Sequence, residues 1–349
     1  MKKKHAGVEI RLFRGGWLLL LAGLLAGMIV LAAGLGQMAV PWTDVARVIF
    51  AKTFGHPSLF EGVGEVAAAI VWDVRLPRIL TSAIVGAGLA VSGTVFQGLL
   101  LNPLADPYTL GVSSGAAFGA SLALILNIGF MGTYSVPLFA FMGAELTLGF
   151  VLFLSSPRQT TAHNLILSGI IVTAILSAGI SFLKYIADEQ VSVIIFWLMG
   201  SFASKTWSDV GITALVLAAG LAVCQYCARD LNLMALGGRS AGALGVNVKR
   251  TSRVLLLSAS CIAAVCVSVS GIIGFVGLLV PHMMREISGP DNRILIPFSM
   301  FAGGILLLAG DTVTRAILPR EIPIGVLTAL IGGPFFCYIF RRRQTRGKF

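Results

Sequence analysis

The chain has 349 residues, of which 56% are hydrophobic and 12% charged, and its mean hydropathy is +0.91. Those values exclude an ordinary water-soluble globule and imply a chain that crosses a membrane many times. The formal net charge of +11 is carried by residues gathered at the termini and between apolar stretches, which argues for membrane topology and against a nucleic-acid partner.

A helix crosses the hydrocarbon with every backbone group paired internally once it has about 20 apolar residues. Ten such segments are expected, at 17–36, 79–100, 108–127, 134–154, 164–185, 209–227, 252–270, 272–287, 294–312 and 323–340. The fold class is therefore all-α: a polytopic membrane protein with one transmembrane domain over 1–349. The first apolar stretch follows a basic amino terminus, 1–16, but is longer than a signal-peptide core and has no clear cleavage site, so it is expected to remain as the first helix. Ser270-Gly271 and Gly274 break the run 252–287 into two passes.

With the amino terminus in the cytoplasm, 18 of the 26 lysines and arginines fall on the inner side, and ten passes return the basic tail 341–349 to that side. The outer segment 37–70 carries no readable motif. After it, Arg75-Leu76-Pro77-Arg78 opens the second span. Proline suits a first helical turn, and arginines three apart share a face, but at a helix start they oppose the dipole unless an acidic partner compensates.

Asn102-Pro103-Leu104-Ala105-Asp106-Pro107 forces a tight inner turn, because two prolines so close cannot continue a helix. Gly111, Gly115 and Gly119, with Gly86, Gly88, Ala90 and Gly93 before them, make small-residue stripes that let helix backbones approach closely. Glu145 is the only ionisable residue clearly inside a span; Lys184 and Asp311 are placed near outer ends, in reach of water. A single carboxylate reads as a packing partner more readily than as a proton relay.

Gly200-Ser201-Phe202-Ala203-Ser204-Lys205-Thr206 approaches a phosphate loop, but lacks the second glycine and one residue of length, so no nucleotide site is expected. Cys224 and Cys227 have redox or zinc spacing without a second pair or a histidine nearby, and read as small buried hydrophobes. No paired carboxylates, no His-x-x-x-His and no serine elbow support an enzyme. Residues 228–251 form the longest inner loop. Its leucines and Met234, broken at Gly237-Gly238, predict two short amphipathic helices offering apolar surface to a partner.

From about residue 70 onward the chain resembles the FecCD-type permeases of ABC importers for iron-siderophore, haem and cobalamin. The resemblance rests on Arg75 to Arg78, Val85 to Gly93, Gln97, Asn102 to Pro107, Leu110 to Ala116, Leu167 to Gly169, Phe196 to Ser201, Leu244 to Val246, Gly274 to His282, Glu321 to Val326 and Gly332 to Phe336, in matching order.

The resemblance implies a homodimer of ten-helix subunits in the inner (plasma) membrane, with the path between the copies and no cofactor in this chain. Two separate ATPase subunits would hold ATP and magnesium, and a substrate-binding protein would deliver a metal chelate, an iron(III)-siderophore before cobalamin or haem. Arg75, Arg78 and Arg315 match residues that pair with glutamates of the binding protein. Leu236, Gly237, Gly238, Arg239, Ser240, Ala241, Leu244 and Gly245 match the ATPase-coupling segment. Asn102, Leu104, Ala162 and His163 match the cytoplasmic gate, the last two departing from the small hydroxyl residues expected there. His282 falls in a family-wide structural stretch. A competing reading, an ion-coupled transporter using Glu145, Asp188 and Glu189, would have no use for a large inner docking loop.

Overall fold

The computed structural model describes residues 2–36, 38, 40–55, 63–155, 162–316 and 321–345, with the side chains of 2–14, 339, 340 and 342–345 excepted. Arg158, Arg320 and the last four residues of the basic tail therefore lie outside the described residues.

Every regular element among the described residues is helical: α1 (Lys2–Gly34), α2 (Trp42–Phe54), α3 (Glu65–Ala69), α4 (Leu76–Leu99), α5 (Val112–Ile125), α6 (Ser135–Leu154), α7 (Ala162–Ile186), α8 (Val191–Leu198), α9 (Trp207–Tyr226), α10 (Ala228–Met234), α11 (Gly238–Ala243), α12 (Val248–Ser270), α13 (Val276–Ser288), α14 (Asn292–Ala316) and α15 (Ile324–Thr345). Among the described residues, seven spans are long and apolar enough to cross a bilayer. α5, α13 and α15 occupy the other three expected spans, α5 and α15 as shorter apolar helices.

Three elements depart from the sequence reading. A π-helical turn, Ile70–Arg75, joins α3 to α4, so the rod runs unbroken from Glu65 to Leu99. Arg75 and Arg78 are thus two turns and more inside a helix, and the dipole at its start does not reach them. The segment 37–70 contains α2, whose Val45, Val48 and Ala51 are buried along one face. The stretch before 209 contains α8, an apolar helix too short to span.

α4 lies at the centre, packed against α9, α12, α13 and α14. The small residues set these distances. A Cβ on Gly93 would strike the Gly277 carbonyl, one on Gly86 the Gly303 carbonyl, and one on Gly115 the Gly143 carbonyl of the α5–α6 pair. The stripes therefore bring backbones into direct contact, as their spacing predicts.

α4 and α14 run antiparallel and fix the two ends of the bundle. Arg78 meets Asp311 at one end; Leu99 reaches the α10–α11 hairpin and Asn292 reaches Asn232 at the other. Between α12 and α13 the chain leaves helical geometry, with Gly271 (φ 74°) and Phe275 (φ 68°) in the left-handed region. The Tyr108 hydroxyl donates to the Ile273 carbonyl at 2.6 Å and accepts from its N–H at 3.3 Å, so this buried break keeps its backbone paired.

Candidate functional site

At the arginine end, three cations expected at the surface are buried. Arg75 is 4%, Arg78 9% and Arg315 6% exposed. Arg75 donates to the carbonyls of Ala33 (3.0 Å), Gly34 and Met38. Arg315 donates to Ala32 (2.9 Å) and Leu35 (2.7 Å). Together they take up carbonyls that the last turn of α1 leaves without intrahelical donors.

Arg78 forms the ionic centre. Its Nη2 lies 2.9 Å from Asp311 Oδ1, and its Nη1 3.0 Å from Glu321 Oε2. Asp311 is 1% exposed, which corrects the expectation that it reaches water. Arg315 also stands 4.0 Å from Asp311, the (i, i+4) neighbour the spacing allowed. The acidic partner of Arg78 is therefore internal and 233 residues away, while Arg75 is met by backbone carbonyls. Glu321, by contrast, is exposed. On the same end, the Lys205 ammonium donates to the Val269 carbonyl at 2.7 Å, and burial lowers its pKa, against the pull of Asp209.

At the opposite end, α10 and α11 form the predicted hairpin, turned at Gly237 (φ 99°). Met234, Ala241 and Val246 make its small core, packed against Leu99. Leu236 and Leu244 face outward, and Gly238 and Gly242 have open space around them. Of the eight residues expected to touch an ATPase, Ala241 is buried in the hairpin's own core and cannot be a contact; Leu236, Gly238, Arg239, Ser240, Leu244 and Gly245 are exposed, and Gly237 is half-buried.

Asn102 and Leu104 share one turn after α4, in which the Asn102 Oδ1 accepts from the Leu104 N–H at 2.9 Å. Leu104 is exposed. Ala162 and His163 open α7, the former half-buried and the latter exposed. The turn Pro107–Leu110 packs on α7, where a Cβ on Gly169 would strike the Thr109 carbonyl. His282 is 4% exposed within α13, Cys224 and Cys227 are buried free thiols, and no group of three metal-ligating side chains occurs among the described residues.

Where α8 ends, α15 begins and the α12–α13 break passes, Ile324 and Gly325 donate to the Gly200 and Met199 carbonyls, both at 3.1 Å. An open cavity of about 590 Å³ lies against this junction, lined by Leu198, Met199, Ile272, Gly325, Ala329 and Pro334 among others. It offers apolar side chains and backbone, and no charged group.

The family model of the FecCD transport family matches residues 19–342. The chain belongs to the FecCD transport family. Among its FecCD relatives, the cobalamin import system permease protein BtuC of Halobacterium salinarum is 44% identical over 288 residues, covering 82% of this chain and 77% of that protein. The hemin transport system permease protein HmuU of Yersinia pestis is 38% identical over 336 residues, covering 94% and 97%. A solved metal-chelate type ABC transporter in an inward-facing conformation superposes with a TM-score of 0.81 at 34% identity, over 94% of this chain and 99% of that one. As a FecCD protein, the chain is a multi-span permease of the ABC importer class.

The internal arginine network is not legible in the sequence because its acceptors are backbone carbonyls 42 residues from Arg75 and 283 from Arg315, and a carboxylate 233 from Arg78. The one available signal was Asp311 placed four residues before Arg315, which marked that pair and not Arg78.

Proposed function

We propose that this chain is the permease subunit of an ATP-driven importer of metal chelates, working as a pair of ten-helix copies in the inner (plasma) membrane with both termini cytoplasmic. The observation that carries the reading is the α10–α11 hairpin: a self-cored projection at the basic end of the bundle, presenting Leu236 and Leu244 outward. Exposed leucines on a short rigid projection suit insertion into a groove of a soluble partner. That partner is a separate ATPase, one per copy, which supplies ATP and magnesium chemistry absent from the motifs of this chain.

Charge-free apolar walls and backbone around the 590 Å³ cavity suit a path that passes a bulky chelate without holding it. Asn102, Leu104, Ala162 and His163 form its cytoplasmic gate. A binding protein docks over the arginine end, where Arg78 is the reachable cation of the three: its partner Glu321 is exposed, so an incoming carboxylate can replace it, whereas Arg75 and Arg315 are committed to backbone.

An iron(III)-siderophore is the first cargo to assay, followed by cobalamin and haem. Relatives named for ferric citrate, hemin and cobalamin have comparable identity to this chain, which supports the metal-chelate class above any single member. The test is co-purification from the native membrane, then uptake by proteoliposomes of a ferric siderophore, cyanocobalamin or haem. An ATPase at equal stoichiometry and ATP-dependent uptake are expected. A chain that purifies alone and moves solute under an ion gradient overturns the reading.

A further inference from the structure

The first turn of α14 presents two backbone groups with no partner of their own. Asn292 is the first residue of the helix, so its N–H has no carbonyl four residues back. Pro297 lacks an N–H, so the carbonyl of Arg293, four residues before it, loses its helical donor. Both are satisfied by amide side chains from the corner between α9 and α10. Asn232 Oδ1 accepts from the Asn292 N–H at 2.9 Å and from its Nδ2 at 2.8 Å, and Gln225 Nε2 donates to the Arg293 carbonyl at 2.8 Å.

Asn232 does more with its remaining end. Its Nδ2 donates at 2.7 Å to Asp291 Oδ1, the carboxylate that also accepts from the Arg293 N–H and caps α14. Both lone-pair directions of the Asn232 oxygen and one of its two N–H groups are thus spent on three atoms of two consecutive residues, Asp291 and Asn292, at a single helix start. A surface amide that served only solubility would not be saturated in this way.

The far end of α14 is fixed as firmly. Asp311, 19 positions and about 28 Å along the axis, is bound to Arg78 of α4, and Arg315 holds the carbonyls of α1. α14 is therefore a strut, gripped at one end by the corner that carries the hairpin and at the other by the arginine network.

We infer that Gln225 and Asn232 form a two-point clamp that transmits displacement of the α10–α11 hairpin to α14, making them positioning residues for coupling. This rests on the importer reading, in which the hairpin is the element an ATPase pushes. A hairpin joined to the bundle only by apolar contacts could slide; hydrogen bonds to the end of a helix resist both translation and rotation.

The experiment uses the complete complex with its ATPase and binding protein in proteoliposomes, and as cargo whichever of a ferric siderophore, cyanocobalamin or haem the wild type transports. In the Gln225→Ala/Asn232→Ala variant, ATP hydrolysis should persist while cargo moved per ATP falls on the order of fivefold. An unchanged ratio overturns the clamp. A second variant guards against simple unfolding: Asn232→Cys/Asn292→Cys with Cys337→Ser, bridged by a short thiol crosslinker. Bridging should restore the ratio lost in the unbridged form; bridging that stops transport would mean the joint must open, and the clamp fails. Failure of the importer reading shows separately, as a wild type that binds no ATPase or shows no ATP-driven uptake.

Discussion

Arg78 and Asp311 are joined by three contacts of 2.9 to 3.2 Å between the middle of one helix and the end of another. The pair is buried, and Arg78 keeps a second acid, Glu321, toward the surface. Removing one member of a buried pair strands the other charge, so Asp311→Ala should cost about 3–5 kcal/mol. Glu321→Gln should cost under about 1 kcal/mol, because that partner is open to solvent and Asp311 still pairs with Arg78. Thermal unfolding in detergent measures both, and equal losses would refute this ranking.

The hairpin offers a contrast between two neighbouring sites. Gly238→Glu meets open space, so the fold should be untouched while ATPase contact and uptake fall. Ala241→Glu places a charge in a sealed core and should melt the hairpin itself. Proteolysis and co-purification separate the outcomes: Gly238→Glu should resist cleavage as the wild type does, and Ala241→Glu should not.

Helix spacing can be probed at glycine. Gly93→Ala forces a methyl into the Gly277 carbonyl and should destabilise by about 1–3 kcal/mol. Gly149→Ala, on α6, meets nothing within 4 Å and should be neutral or slightly stabilising. Melting temperatures that fail to distinguish the two would show that the α4–α13 contact is looser than described.

Asp291 gives a pH signature to the start of α14. The Arg293 guanidinium, with further hydrogen bonds from Asn232, holds its carboxyl down at about 2. A depressed acid contributes stability above its unfolded pKa near 3.8 and loses it as pH falls through the folded value. The joint should therefore be insensitive from neutral pH down to about 4 and weaken between about 4 and 2. Melting curves of wild type and Asp291→Asn across that window check this, the variant lacking the Asp291 part of the acid limb.

The bundle, its glycine contacts and the two-helix hairpin were legible in the sequence because each depends on local pattern: apolar length, four-residue spacing of small residues, leucines broken by Gly237-Gly238. α2 and α8 were not, since 13 and 8 residues give too little periodicity to stand out between the spans. The arginines at 75 and 78 read as a membrane boundary, which sets the second span at 79–100. Their burial depends on acceptors at Ala33 and Asp311, and no local rule places those beside residues 75 and 78. The clamp residues Gln225 and Asn232 are unremarkable polar residues until Pro297 and the helix start are seen opposite them.

The π-helical turn Ile70–Arg75 takes up an extra residue inside the rod itself. A π turn holds one more residue than the α turn it replaces. The surplus is therefore absorbed within a single turn, which carries Trp72 against Trp207, their rings 4.8 Å apart, while Arg78, one turn further on, stays on Asp311. A change in chain length of the kind usually left to a loop can here be taken up within a helix, without turning one end of the rod against the other.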